Sequence, residues 1–211
     1  MGATYWSRVE NINQNLKSLY DYVEGVLSFL PEGAGWLRCR TPKGFREMSQ
    51  KLIAHAITHL EADGNRHRSA AEDAITSAAI GFLNRYGIAT FSQVNNRGHV
   101  DIYMKHAWKP GLVIFGEAKI WRGVAYHVSG LRQVLGYATG RYPFCFVLAY
   151  VQSGRIADHI SNLTDHLNSA VPEDQQGACT PHDYIVWGLV AQHKHTSGNN
   201  IEVLHAGVNL V

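Results

Sequence analysis

The sequence predicts an α/β protein, with an N-terminal helical extension ahead of a core of order α-β-β-β-α-β: a central mixed sheet flanked by helices. Three observations carry that expectation. Apolar residues recur at helical spacing in three segments before residue 87. Three strand-like runs then follow one another between residues 88 and 120. Residues 144–151 are almost continuously apolar, the mark of a strand covered on both faces.

In chain order, residues 13–30 place Leu16, Leu19, Tyr20, Val23, Val26, Leu27 and Leu30 at helical spacing, closed by Pro31 and Gly33. Residues 31–44 hold three Gly and two Pro and are expected to form a loop. A second helix is expected over 45–62, ended by Asp63, Gly64 and Asn65, which mark the boundary between an extension (1–64) and the main domain (65–211). Ser69 followed by Glu72 reads as a capping box opening a third helix, which buries Ile75, Ala79, Phe82 and Tyr86 and stops at Gly87. Strands are expected over 88–94, 99–104 and 112–120, with turns at 95–98 and 108–111, giving an antiparallel meander. Residues 126–141 are expected to be helical, with Val128, Leu131, Leu135 and Ala138 on one stripe. After the strand at 144–151 come a helix over 156–170 and a hairpin of 183–192 with 201–208.

Composition narrows the class. A chain of 211 residues, 45% apolar and 17% charged, suits a globular protein, and no apolar run approaches the ~20 residues of a membrane span. Arg8, Glu10, Lys17, Asp21 and Glu24 interrupt the first thirty residues, unlike a secretory signal. Cys39, Cys145 and Cys179 are far apart and form no CxxC pair, so they read as reduced thiols in a cytoplasmic protein. A net charge of +2 means that any basic surface is local. No Walker loop, GxGxxG or GxSxG occurs.

The chemistry concentrates in residues 98–119. On a strand over 112–119, Glu117 and Lys119 share one face with Val113 and Phe115, and Asp101 lies on the preceding strand. Two neighbouring carboxylates repel unless a proton or cation intervenes, and a hard divalent metal is the usual partner. Glu72 lies on the inward stripe of its helix, either as an upstream acid or as the third residue of the capping box; Asp73 faces elsewhere and is its substitute. Gln133 and Tyr137 stand one helical turn apart after Lys119. His55 and His59 are four apart, but Ala56 stands where a zincin needs Glu; His193 and His195 are expected to be solvated beside a Gly/Asn turn. Trp36, Arg38, Arg40, Lys43, Arg46 and Lys51 form a basic, aromatic-tinged stretch, read as a solvated loop in preference to a phosphate contact.

Asp101, Glu117 and Lys119 in this strand–strand–helix order resemble the PD-(D/E)xK nuclease superfamily, whose fold is restriction-endonuclease-like. The motif's proline is absent, since His99 and Val100 precede Asp101. The Gln133-x-x-x-Tyr137 element resembles that of the RecB- and Cas4-like branch, where it supports the site and contacts DNA. The resemblance covers about residues 68–152. It implies Mg²⁺ (or Mn²⁺) held by Asp101, Glu117 and the Ala118 carbonyl with Glu72 completing the shell, and a Lys119 of lowered pKa that orients or deprotonates the attacking water. It also implies DNA as substrate, cut to leave a 5′-phosphate. Expected partners are a second copy of the chain, since duplex cutting needs two sites, and a regulatory protein if the enzyme is a defence effector. An RNA-cutting relative and a non-catalytic binding module on the same fold stay open.

Overall fold

The structure, a computed structural model, describes residues 14–18, 21, 31–86, 88–92, 94–95, 99–106, 108–109, 111–138, 140 and 144–211. Helices α1 (Pro31–Arg38), α2 (Pro42–Ala62), α3 (Gly64–His67) and α4 (Glu72–Arg85) come first. Strands β1 (Ala89–Phe91), β2 (Val94–Asn95), β3 (His99–Val100), β4 (Ile102–Lys105) and β5 (Val113–Ile120) follow. Then come α5 (Val124–Tyr137), β6 (Phe144–Val151), α6 (Ile156–Ala170), β7 (Thr180–Pro181), β8 (Gly188–Lys194) and β9 (Asn200–Asn209).

All eight residues of β6 are buried, because it pairs in parallel with β5 on one side and β9 on the other beneath helices on both faces. The seven-stranded mixed sheet runs β1-β4-β5-β6-β9-β8-β7, antiparallel at both edges; β2 and β3 pair separately. On one face α2 and α4 bury Leu52, Ile53, Leu60, Ile75 and Leu83 against Ile114, Phe146, Leu204 and Val208. Residues on both sides of position 64 therefore share one core. The opposite face packs Leu131 and Val134 of α5 on Phe115, Val147 and Val203, and Leu163 and Leu167 of α6 on Leu189 and Ala191. Gly116 is required where β5 meets β6, since a Cβ there would overlap the Phe146 ring. Glu202 of β9 ties α2 to the sheet through Arg46 Nη1 (3.1 Å) and Gln50 Nε2 (3.0 Å), and also accepts from Gln192 Nε2 of β8 (3.2 Å).

Several expectations are corrected. The helix expected over 13–30 lies mostly outside the described residues; 14–18 and 21 are helical. The expected loop at 31–44 contains α1, because a proline at a helix start loses no needed N–H. Trp36 is fully buried, stacked on His106 at 5.2 Å and donating from Nε1 to Ser49 Oγ at 2.9 Å, so the basic stretch is anchored in the core through its aromatic residue. α2 starts at Pro42 because Thr41 Oγ1 accepts from the Gly44 N–H. No capping box opens α4: Ala71 is the N-cap, without a side-chain bond, and Glu72 is the first helical residue. Phe82 and Tyr86 are only half-buried, and Ile80 and Leu83 take the inward places. The strand expected over 99–104 breaks at Asp101, α5 ends at Tyr137 where Ala138 turns extended, and the closing hairpin is β8 with β9. Among the described residues no helix is long and apolar enough to cross a membrane, and the three cysteines are free.

Candidate functional site

The site forms where β4 parts from β5. Their ladder runs from Lys105 opposite Val113 to Ile102 opposite Gly116 and stops, because Asp101 bends away. Along a strand, the N–H and C=O of one residue leave on the same side, and successive residues alternate sides. Trp121 N–H donates to the Tyr150 carbonyl beside β6 at 2.9 Å, so Ala118 and Ile120 turn their peptide groups toward the edge that β4 has vacated. A buried N–H left unpaired there would cost about 1–3 kcal/mol. Two carboxylates meet the need: Asp101 Oδ2 accepts from Ala118 N–H at 3.1 Å, and Glu72 Oε2 from Ile120 N–H at 2.7 Å. The start of α4 delivers Glu72 to this edge.

Lys119 closes the cluster. Its Nζ lies 2.5 Å from Glu117 Oε1, 3.7 Å from Asp101 Oδ2 and 3.9 Å from Glu72 Oε1. Three carboxylates against one ammonium leave an excess of negative charge. Glu117 is 1% exposed, and its Oε2 has no hydrogen-bond partner. Burial, reinforced by Asp101, pushes its carboxyl up to about 7 against the pull of Lys119. For Lys119, burial disfavours the charge, but Glu117, Asp101 and Glu72 together hold its pKa above the ordinary lysine value. That is the direction set by the carboxylates alone; the lowering expected beside a bound cation belongs to the loaded site.

Helix α5 passes close over the pair: a Cβ on Gly130 would stand 3.3 Å from Lys119 Cγ and 3.4 Å from Glu117 Cγ. Tyr137 donates its hydroxyl to the His99 carbonyl at 2.6 Å, fixing the segment that leads into Asp101. Burial and the charges of Glu117 and Asp101 push that phenol up to about 12. Gln133 is exposed on the same helix. Beside the cluster lies a recess of about 40 Å³ lined by Glu72, Asp73, Thr76, Ser77, Ser92 and Asp101, room for a few waters. Asp73, expected to face elsewhere, thus stands at the recess, one residue on from Glu72.

The expected residues Glu72, Asp101, Glu117 and Lys119 come together, with the Ala118 peptide between them. All donors are oxygens, which suits a hard divalent cation, and Glu117 Oε2 is an unused acceptor. As they stand, the acids point at Lys119, and among the described residues no three His, Cys, Asp or Glu side chains form a group arranged to hold a metal. The histidines behave differently from expectation. His55 and His59 stack on Tyr86 and Phe82. His193, expected to be solvated, is fully buried with Nδ1 at 3.0 Å from the Glu173 carbonyl. Sequence reasoning missed His127 and His205, buried with Nε2 and Nδ1 2.9 Å apart. A signal existed: His127 shares the inward stripe of α5 with Leu131 and Val134. Compared with protein-family models, curated proteins and solved structures, the chain matches none.

Proposed function

We propose that this cluster is the active centre of a divalent-cation-dependent nuclease of the PD-(D/E)xK type, on a restriction-endonuclease-like core, hydrolysing phosphodiester bonds in DNA. The observation that carries it is the convergence of Glu72, Asp101 and Glu117 within 4 Å of one lysine ammonium at a splayed strand edge. Asp101, Glu117 and the Ala118 carbonyl would hold Mg²⁺ or Mn²⁺, with Glu72 and Asp73 at the recess beside them. A cation bound there supplies charge neutralisation at the phosphate and a water of lowered pKa. The protein's own groups do the rest. Lys119 would direct Nζ at the attacking water and the phosphate oxygens, where charge accumulates. Tyr137 and Gly130 fix the backbone and side chains around it, so orientation is set before substrate arrives. A reducing cytoplasm suits the three free thiols, and cutting both strands of a duplex calls for a second copy of the chain.

The test is digestion of supercoiled, linear and single-stranded DNA, and of RNA, with Mg²⁺, Mn²⁺ or chelator. The expected result is cation-dependent DNA cleavage abolished by Lys119→Ala, with the circular dichroism spectrum unchanged. Cleavage of RNA alone moves the protein to the RNA-cutting class. A second reading, a purely structural ion-pair network, is favoured by Lys119 already filling the space between the acids. It is selected if no nucleic acid is cut and Lys119→Ala only destabilises the fold.

A further inference from the structure

The groove between α2 and α4 lies outside the catalytic cluster, and its chemistry is cationic. It encloses about 390 Å³ over a floor of Ala74, Ala78 and Gly81, side chains too small to fill it. Arg66 stands at one end and Arg85 at the other; both are exposed, and neither has an ion-pair partner among the described residues. Asp63 also lines the groove, leaving two guanidiniums against one carboxylate. The more telling residue is His67. It is 7% exposed and lines the groove, its backbone carbonyl is taken by Gln152 Nε2 at 2.8 Å, and its ring has no hydrogen-bond partner among the described residues. Its ring nitrogens are not among the buried polar atoms that lack a partner, so they reach the water of the groove, where a phosphate oxygen can take that water's place. The wall is the His59 ring stacked on Phe82, centroids 4.6 Å apart.

We propose that this groove binds the phosphates of a nucleic-acid strand, Arg66 and Arg85 contacting separate phosphates of one strand and His67 hydrogen-bonding beside Arg66; the proposal rests on the nuclease reading. Guanidiniums match phosphate oxygens in pairs, and a shallow floor of small residues lets a backbone approach closely. The groove also lies within one helix length of the cluster. Helix α4 begins at Glu72 of the catalytic cluster and ends at Arg85, about 20 Å away at 1.5 Å per residue. That distance is about six phosphates of one duplex strand at ~3.4 Å each. At 3.6 residues per turn Ala74, Ala78, Gly81 and Arg85 lie on the side of α4 away from Glu72 and Thr76, so a strand passes around the helix between the cluster and the groove.

The experiment measures binding apart from cleavage. A fluorescently labelled DNA duplex and single strand are titrated with the full chain in chelator, at several salt concentrations, by anisotropy. Arg66→Ala with Arg85→Ala should weaken binding about tenfold and make the slope of log affinity against log salt shallower by roughly 1.4–1.8 for two lost contacts. Ala78→Glu, which sets an anion on the floor of the same groove, should weaken binding in the same direction. Melting temperatures confirm that the variants are folded. If the wild type cuts DNA while both variants bind it as tightly as the wild type, with the same salt slope, the groove proposal falls and the nuclease reading stands. Groove-dependent binding without any cleavage reverses that outcome. Saturable binding of AMP that depends on Arg66 and Arg85, with DNA affinity unchanged in the variants, assigns the groove to a free nucleotide and overturns the strand proposal.

Discussion

The buried imidazoles make the fold sensitive to acid in a way that can be calculated. Burial lowers His127 from an ordinary 6.5 to about 4. His205 is lowered well below its ordinary value by burial and then by the neighbouring His127 and His193. Both rings are therefore neutral in the folded protein and protonate more readily when it unfolds. Their contribution is fully present above pH 6.5 and is lost as pH falls toward 4. At ~1.4 kcal/mol per tenfold change, His127 alone accounts for about 3 kcal/mol over that window, a large share of the 5–15 kcal/mol typical of a domain. Replacing the pair together, His127→Leu with His205→Leu, removes both titrating rings and both ends of their hydrogen bond. Removing both partners at once is close to neutral at pH 7.5, unlike removing one. His193 stays in place and, with its lowered pKa, leaves a smaller dependence. Urea melts followed by tryptophan fluorescence at pH 7.5, 6.5, 5.5 and 4.5 read this directly. Glu117, raised to about 7, works in the opposite direction over the same window in both proteins, so the difference between them is the readout: the wild type should lose at least about 3 kcal/mol more than the double variant between the extremes. Equal acid slopes in the two proteins would refute the reasoning.

Two other substitutions probe the sheet and the site. Gly116→Ala drives a methyl into the Phe146 ring and should cost about 1–3 kcal/mol in urea melts, whereas an unchanged midpoint would mean that the two strands pack less tightly than described. Glu117→Gln removes a buried charge whose carboxyl sits at about 7, so at pH 8 in chelator the variant should be more stable by about 2–3 kcal/mol, and with Mg²⁺ present it should lose all cleavage. A destabilised variant would show that Lys119 repays the burial of that carboxylate in full.

Much of this fold is legible in residue order. The apolar run of β6 and the amphipathic α6 match their expected limits, because burial on two faces and a clean 3.6-residue stripe leave few alternatives. The convergence of Asp101, Glu117 and Lys119 also follows from strand alternation. What escaped depends on contacts distant in sequence. α1 hides behind Pro31, Gly33 and Gly35, and its reason to fold is the burial of Trp36 against Phe45 and His106. Glu72 reads locally as a helix cap, yet its partner is the Ile120 amide 48 residues away. His193 looks solvated beside its turn, although strand alternation from Leu189 and Ala191 already points it inward.

Binding of the cation itself is the sharpest measurement. Calorimetric titration of the full chain with Mn²⁺ at pH 7.5 should show saturable binding that Asp101→Asn weakens at least about tenfold, the effect of losing a charged oxygen ligand. Lys119→Ala should bind Mn²⁺ more tightly than the wild type, because its ammonium competes for the same three carboxylates. Identical isotherms for all three proteins would mean that these acids hold no cation, and would contradict the account at its root.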